Sequence, residues 1–237
     1  MKKIVLLLLF LYTSAIAGDM NISGTTNTED AVLNANNPDD NYGGTTGMGL
    51  RINDRFIFRV NGLAGLIGSG QQIDACSLYF YQYAADGLGA EDSLYAWRVF
   101  KPWVEGVSDA ANALTGVTYL DWECDDYEWG SSGCNSASDV GDDNSTDGGG
   151  YDRAATPVGK AALTASSGWK VISLGNLGQG WYDGTIDENG FAIGATFSSG
   201  EYIYIYSSEY TTNPDLIPYV KVWYSSIAIK LMVKNRP

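Results

Sequence analysis

Residues 201–224 read EYIYIYSSEYTTNPDLIPYVKVWY, and they decide the fold that the sequence predicts. Tyrosine and isoleucine alternate through 202–206, and a second alternating run resumes at 220–224 after a turn rich in Thr, Asn, Pro and Asp. A period of two residues indicates a β-strand whose two faces have different surroundings. We therefore predict two strands joined as a hairpin, with the rest of the chain supplying more sheet for the hairpin to pack against.

Similar runs recur upstream, for example RFIFRV at 55–60 and IDACSLYFYQY at 73–83. The chain has 29 glycines and 13% aromatic residues, and strong helical patterns are scarce. Neither an internal repeat nor a linker divides it. These features predict an all-β protein with a single jelly-roll-like antiparallel β-sandwich and long loops.

The first residues resemble an export signal. Lys2 and Lys3 precede a short apolar run that ends at Ala15-Ile16-Ala17, the pattern that signal peptidase cleaves. No other apolar run is long enough to span a membrane. We expect a mature protein that is secreted or held at the cell surface. The predicted segments are a signal peptide (1–17), a polar lead-in (18–29), the sandwich domain (30–224) and a C-terminal tail (225–237) that adds an edge strand or pairs with a neighbouring molecule.

Charge and composition exclude several functions. The formal net charge is −14, and it becomes −16 when Lys2 and Lys3 leave with the signal peptide. Such a chain repels nucleic acid and anionic membranes, and an anionic polysaccharide would need a local basic groove or bridging Ca²⁺. The chain has no histidine, which removes His-dependent triads and His-ligated zinc. Paired carboxylates such as Glu105 with Asp121 or Glu123 are conceivable, but no spacing selects a pair, and we expect no enzymatic activity.

Seven segments follow one another between Asp30 and Tyr224: DAVLNANNPDDNYG, RFIFRV, IDACSLYFY, WVEG, GVTYLDWE, NGFAI and SSEYTTNPDLIPYVKVWY. Their order resembles the DNRLRE domain family, secreted β-sandwich domains related to disaggregatase and to a carbohydrate-binding module family. The resemblance implies a module found with polysaccharide-degrading enzymes and surface proteins, some of them linked to acidic polysaccharide. The chain departs from the family pattern at Cys76, Tyr119 and Ile217, where the family usually has Ala and Trp and often has Arg.

One candidate glycan site lies in the least regular section, 107–156. Trp122, Tyr127 and Trp129 stand there among acidic residues, so their rings could stack on neutral sugars while carboxylates bond the hydroxyls. The alternative is that these rings cap the open end of the sandwich.

A second candidate is a tyrosine stripe on the outer face of one sheet, which would suit a ligand or another subunit. Its members are Tyr79, Tyr81, Tyr202, Tyr204 and Tyr206. The alternative places these rings in the core and the isoleucines outside. Trp103 and Trp169 are assigned to the core, and Glu105 is predicted to hold backbone groups at a bend.

A calcium site is also suggested, because Asp143, Ser145 and Asp147 match the start of a calcium loop and Asp152 could add a carboxylate. Since the closing Glu is missing, the alternative is a solvated acidic loop.

The three cysteines are expected to play different roles. Export makes a disulfide between Cys124 and Cys134 the expected state. Cys76, on the apolar face of a strand, is predicted to be a buried free thiol.

Together these observations favour a secreted, non-catalytic carbohydrate-binding module acting on extracellular or cell-surface polysaccharide. The alternative is a structural subunit or adhesin of an extracellular assembly, which would associate with itself or with other surface proteins. Calcium is the cofactor that the sequence suggests.

Overall fold

The computed structural model describes residues 17–112, 115–123, 127–138 and 151–226. In these residues the chain forms two short α-helices, α1 (Leu63–Ile67) and α2 (Leu177–Asp183), and a 3₁₀ helix at Pro214–Leu216. The strands are β1 (Ala17–Ser23), β2 (Thr28–Leu33), β3 (Asp40–Asn41), β4 (Gly47–Leu50), β5 (Arg55–Val60), β6 (Gln71–Asp86), β7 (Ser93–Arg98), β8 (Ala111–Asn112), β9 (Asp121–Glu123), β10 (Tyr127–Glu128), β11 (Gly159–Ala162), β12 (Gly168–Ser173), β13 (Phe191–Ala195), β14 (Tyr202–Tyr206) and β15 (Tyr219–Ser226).

Two antiparallel sheets pack face to face. Sheet A has the order β1-β15-β6-β14-β4, with β12 also paired to β6, and sheet B has the order β11-β7-β13-β5-β2. Two short pairs, β3 with β8 and β9 with β10, lie outside both sheets. The predicted all-β sandwich is therefore confirmed, whereas its finer jelly-roll assignment stays a prediction.

The alternation in the sequence explains the inner core between the sheets. On β6, Cys76, Leu78 and Phe80 face inward, while on β14 Ile203 and Ile205 do so. The intervening tyrosines of both strands lie on the outer face of sheet A and are half-buried. Period-two patterning thus assigned the faces of these strands correctly.

Part of sheet B is buried on its outer face as well as on its inner one. A second core, on the outer side of this sheet, joins Ala31, Leu33 and Ile57 to rings from the long section after β7. Trp103, with no exposed surface, lies in this layer and donates its Nε1–H to the Asn189 carbonyl at 2.8 Å. The described parts of the long irregular section are therefore packed against the sandwich.

The hairpin prediction is wrong in its pairing although both strands exist. β14 and β15 do not pair with each other, since both pair with β6. β15 pairs with the first part of β6, at Gln71–Tyr79, and β14 with the last part, at Gln82–Asp86. The sixteen-residue β6 is long enough for β14 and β15 to pair one after the other along the same edge, because β12 occupies the opposite edge at Ser77–Gln82. Residues 207–218 connect the two strands.

The N-terminal stretch also differs from its prediction. Residues 18–29, predicted as a lead-in, contribute most of β1 and the first residues of β2. β1 pairs with β15 along its whole length and forms an edge of sheet A. Of the predicted tail, Ser225 and Ser226 end β15, while 227–237 lie outside the described residues, as do residues 1–16 of the predicted signal peptide. No described helix has the length and apolar character needed to cross a membrane.

Candidate functional site

An aromatic platform covers the outer face of sheet A. Three of its tyrosines come from β6, three from β14 and one from β15, and β12 and the loop after β14 contribute the other two rings. We define the platform by its residues: Tyr79, Tyr81, Tyr83, Trp169, Tyr202, Tyr204, Tyr206, Tyr210 and Tyr219. The predicted stripe is present, and it is larger than the sequence suggested.

Cross-strand register brings these rings together. Tyr79 lies directly opposite Tyr219, and their rings stack with centroids 4.8 Å apart; Tyr81 lies opposite Trp169, with centroids 5.6 Å apart. Side chains at directly paired positions on one face are the closest neighbours in a sheet. The pairing of the strands therefore places aromatic rings from neighbouring strands side by side, so that they form one continuous surface.

Two glycines on the edge strand β4 leave space for two of the platform's tyrosine rings. A Cβ on Gly49 would lie 2.8 Å from Cε1 of Tyr204, and a Cβ on Gly47 would lie 2.8 Å from the hydroxyl of Tyr83. The tyrosine rings therefore extend over the bare backbone of β4. This packing of aromatic rings against strand glycines widens the platform to the edge of sheet A.

Trp169 differs from the stacked tyrosines of the platform in its orientation and exposure. Tyr206 stacks between Tyr83 and Tyr210, with centroid distances of 4.5 and 3.8 Å, so both of its faces are covered. Trp169 instead meets Tyr81 at 84° and Tyr219 at 63°, and 39% of it is exposed. The assignment of Trp169 to the core is therefore wrong, and this indole is the platform ring with the largest exposed fraction.

Three of the platform's phenols have a raised pKa. Burial raises the pKa of Tyr83, with further contributions from Tyr204 and Tyr210. A hydrogen bond to Tyr210 is the main reason that the pKa of Tyr206 is raised, and burial raises the pKa of Tyr219. These hydroxyls are therefore uncharged hydrogen-bonding groups at neutral pH.

The other aromatic candidate has a different position. Trp122 and Trp129 belong to the second core, where 6% and 3% of each is exposed, and the Nε1–H of Trp129 donates to the Thr118 carbonyl at 3.0 Å. Tyr127 is 38% exposed and stacks on Trp122 with centroids 4.7 Å apart. In this arrangement Trp122 and Trp129 hold the loop on sheet B and offer no free ring face to a ligand.

The predicted calcium loop falls mostly outside the described residues, which exclude Asp143, Ser145 and Asp147. Asp152 is described and has no exposed surface. Its carboxylate accepts backbone N–H groups from Gly130, Ser131 and Ser136 at 2.7–3.2 Å, which fixes the loop around Cys134. The calcium assignment for this loop stays a prediction, with Asp152 already committed to backbone contacts.

The cysteines are partly accounted for. Cys76 is buried and free, as predicted. Cys134 is buried and also a free thiol in this structure, and Cys124 lies outside the described residues, so the disulfide stays a prediction.

No pattern in the sequence indicated that three carboxylates far apart in the chain lie close together in the fold. Asp30 on β2, Glu105 in the WVEG segment and Glu209 after β14 each offer an oxygen, and these oxygens lie within 4.8 Å of one another. Glu105 holds a backbone group, since its Oε1 accepts the Asp30 N–H at 2.6 Å, but that group lies on strand β2 and not at the predicted bend. The carboxylates beside Glu105 are those of Asp30 and Glu209, and not those of Asp121 or Glu123, which the sequence made conceivable partners.

The pKa values of this carboxylate cluster are all raised. Burial is the first cause for each residue, and the charges of the other members add to it for Asp30 and Glu105. The pKa of Glu105 rises to about 8, and that of Asp30 lies well above its usual range. Three carboxylates in a poorly hydrated place oppose one another's ionisation.

Comparison with known proteins does not assign the chain to a family. No protein-family model matches it, and no curated protein matches it either.

Proposed function

We propose that this protein is a secreted, non-catalytic carbohydrate-binding module that recognises extracellular or cell-surface polysaccharide through the aromatic platform. The observation that carries the proposal is the continuous array of nine partly exposed rings on one face of a sheet. Aromatic rings present apolar surface to the C–H groups of a sugar, and phenol hydroxyls can hydrogen-bond its hydroxyls.

Several further features support this proposal. The raised pKa values of Tyr83, Tyr206 and Tyr219 keep these hydroxyls uncharged, which suits an uncharged or weakly charged glycan better than a polyelectrolyte. Export through the predicted signal peptide would place the protein where polysaccharides occur. The resemblance of seven ordered segments to the DNRLRE domain family points to the same class of ligand.

Trp169 is the residue on which binding should depend most, since its exposed indole lies across the stacked tyrosines. The test compares Trp169→Ala with Tyr127→Ala, which removes a ring of nearly equal exposure (38% against 39%) outside the platform. A glycan array of neutral and acidic polysaccharides identifies the ligand, and titration calorimetry then gives the affinities.

We expect Trp169→Ala to weaken binding by about five- to tenfold, the effect of losing about 1–1.4 kcal/mol from a binding hot spot, while Tyr127→Ala leaves the affinity unchanged. Equal affinities for wild type and Trp169→Ala would place the glycan elsewhere. Melting curves for both variants show whether each protein is folded.

The alternative is a structural subunit or adhesin of an extracellular assembly. The same exposed aromatic face favours it, because a large apolar surface can also cover a second copy of the chain. Light scattering at increasing protein concentration distinguishes the two. Self-association that Trp169→Ala abolishes, together with no glycan signal, would support the subunit and contradict the glycan-binding module.

A further inference from the structure

We propose that Asp30, Glu105 and Glu209 form a binding site for a divalent cation, with Ca²⁺ as the ion that fits best. The site is independent of the aromatic platform and of the predicted calcium loop at 143–152. It rests on the convergence of three carboxylates from separate parts of the fold.

Two oxygens in the cluster are buried and have no hydrogen-bond partner. Asp30 is completely buried, and its Oδ2 accepts the Ser208 N–H at 2.8 Å while its Oδ1 accepts nothing. Glu209 Oε1 accepts the Ser208 hydroxyl at 2.9 Å, and its Oε2 likewise lacks a partner. Unsatisfied buried carboxylate oxygens are costly, and a bound cation is a common way in which proteins compensate them.

Positive charge from side chains does not supply this compensation. Arg59 is the nearby cation that acts on Glu105, but its guanidinium is committed to Glu29 and to the Trp103 carbonyl. Within the described ranges, no salt bridge reaches any of the three carboxylates. When ionised, the three carboxylates carry a charge of −3, which a divalent cation would offset where no side-chain cation does so.

The spacing suits calcium. Ca²⁺ binds oxygen ligands at about 2.3–2.6 Å, so two ligands on opposite sides of the ion lie about 4.6–5.2 Å apart. The three oxygens lie within 4.8 Å of one another, which allows one ion to contact all of them. The donors are all carboxylates, a hard-oxygen set that favours Ca²⁺ or Mg²⁺ over zinc, and irregular geometry favours Ca²⁺.

Such an ion would join three layers of the molecule. Asp30 lies on the edge strand of sheet B, Glu209 follows β14 of sheet A, and Glu105 belongs to the section that covers sheet B. The backbone of Glu105 is fixed in turn, since its carbonyl accepts the Asn41 Nδ2–H at 2.7 Å. The ligands are thus held in position by the fold, and the ion would stabilise the side of the sandwich where β2 and β14 approach.

The test measures melting temperature and calorimetric heat after removal of metals with EDTA, and again with added CaCl₂. For the wild type we expect a rise in Tm of about 5–10 °C when free Ca²⁺ exceeds its Kd by a hundredfold. Glu209→Gln and Glu105→Gln should lose most of this rise. In EDTA both variants should melt at or above the wild-type temperature, because each removes one of three mutually repelling charges and keeps the shape of the side chain.

A double variant, Asp143→Asn with Asp147→Asn, controls for the acidic loop and should keep the full calcium response. Absence of both heat and a Tm shift in the wild type would overturn the proposal. So would a full calcium response in Glu209→Gln, or its loss in the Asp143/Asp147 double variant alone. A lower Tm for Glu209→Gln in EDTA without any calcium response in the wild type would show that the cluster has only a structural role.

Discussion

Replacing Trp129 with alanine should destabilise the protein strongly without acting through a ligand. This ring was a candidate for stacking on sugars, yet it lies in the second core with 3% of it exposed. Tyr127→Ala is the matched comparison, because Tyr127 belongs to the same loop and is 38% exposed. The two substitutions therefore compare a buried ring with an exposed ring in the same segment.

The size of the effect follows from area and hydrogen bonding. Truncating a buried tryptophan removes about 150–200 Å² of buried apolar surface, worth about 4–5 kcal/mol at about 25 cal/mol per Å². Measured Trp→Ala costs of about 3–5 kcal/mol agree with this figure. The bond from Nε1–H to the Thr118 carbonyl, 3.0 Å long, is lost as well. We expect the free energy of unfolding to fall by about 4 kcal/mol for Trp129→Ala and by about 1–2 kcal/mol for Tyr127→Ala.

The measurement is thermal and urea-induced unfolding followed by circular dichroism. At about 2–4 °C per kcal/mol for a chain of this size, Trp129→Ala should lower Tm by about 8–16 °C. A decrease below about 2 °C, combined with loss of glycan binding, would refute the assignment of Trp129 to the core and restore it as a ligand contact.

Two further predictions follow. In urea titrations, Gly106→Ala should lower the free energy of unfolding clearly more than Gly24→Ala. Both glycines have φ near +80° (78° and 81°), but only a Cβ at position 106 would meet the side-chain amide of Asn41, which lies 2.5 Å away and is held by four hydrogen bonds. Equal losses for the two variants would contradict this reasoning. In the native protein, Cys76 and Cys134 should not react with a thiol reagent at pH 8, because both are buried and burial raises the pKa of Cys76 to about 12. In guanidinium without reductant, one reactive thiol is expected if Cys124 and Cys134 form the predicted disulfide, whereas three reactive thiols would disprove that disulfide.

Local alternation predicted much of what the structure contains. The strands around 55–60, 73–83 and 202–206 lie where the sequence placed them, because side chains on successive strand residues point to opposite faces whatever the strand pairs with. The same property assigned the tyrosines of β6 and β14 to one side. It did not show that β14 and β15 both pair with β6 and not with each other, since strand partners depend on contacts between residues far apart in the chain.

Exposure of single rings was predicted less well. Trp169 occupies an alternating position that would be buried if another layer covered sheet A, and Trp122 stands among acidic residues that suggest solvent. The structure exposes Trp169, contrary to its assignment to the core, and buries Trp122, as one of the two alternatives for that ring required, because the described part of the long irregular section covers sheet B and leaves the outer face of sheet A open. No local pattern tells which of two sheets a loop will cover.

By itself, the sequence determined that the chain is all-β, which residues share a strand face, and that histidine chemistry is excluded. These properties follow from backbone geometry and composition, which act over a few residues. Only the tertiary structure joined rings from four strands and a loop into one surface and brought Asp30 within hydrogen-bonding distance of Glu105, 75 residues away. Such convergence depends on sheet order and on the path of the connections, so it arises only when the whole chain has folded.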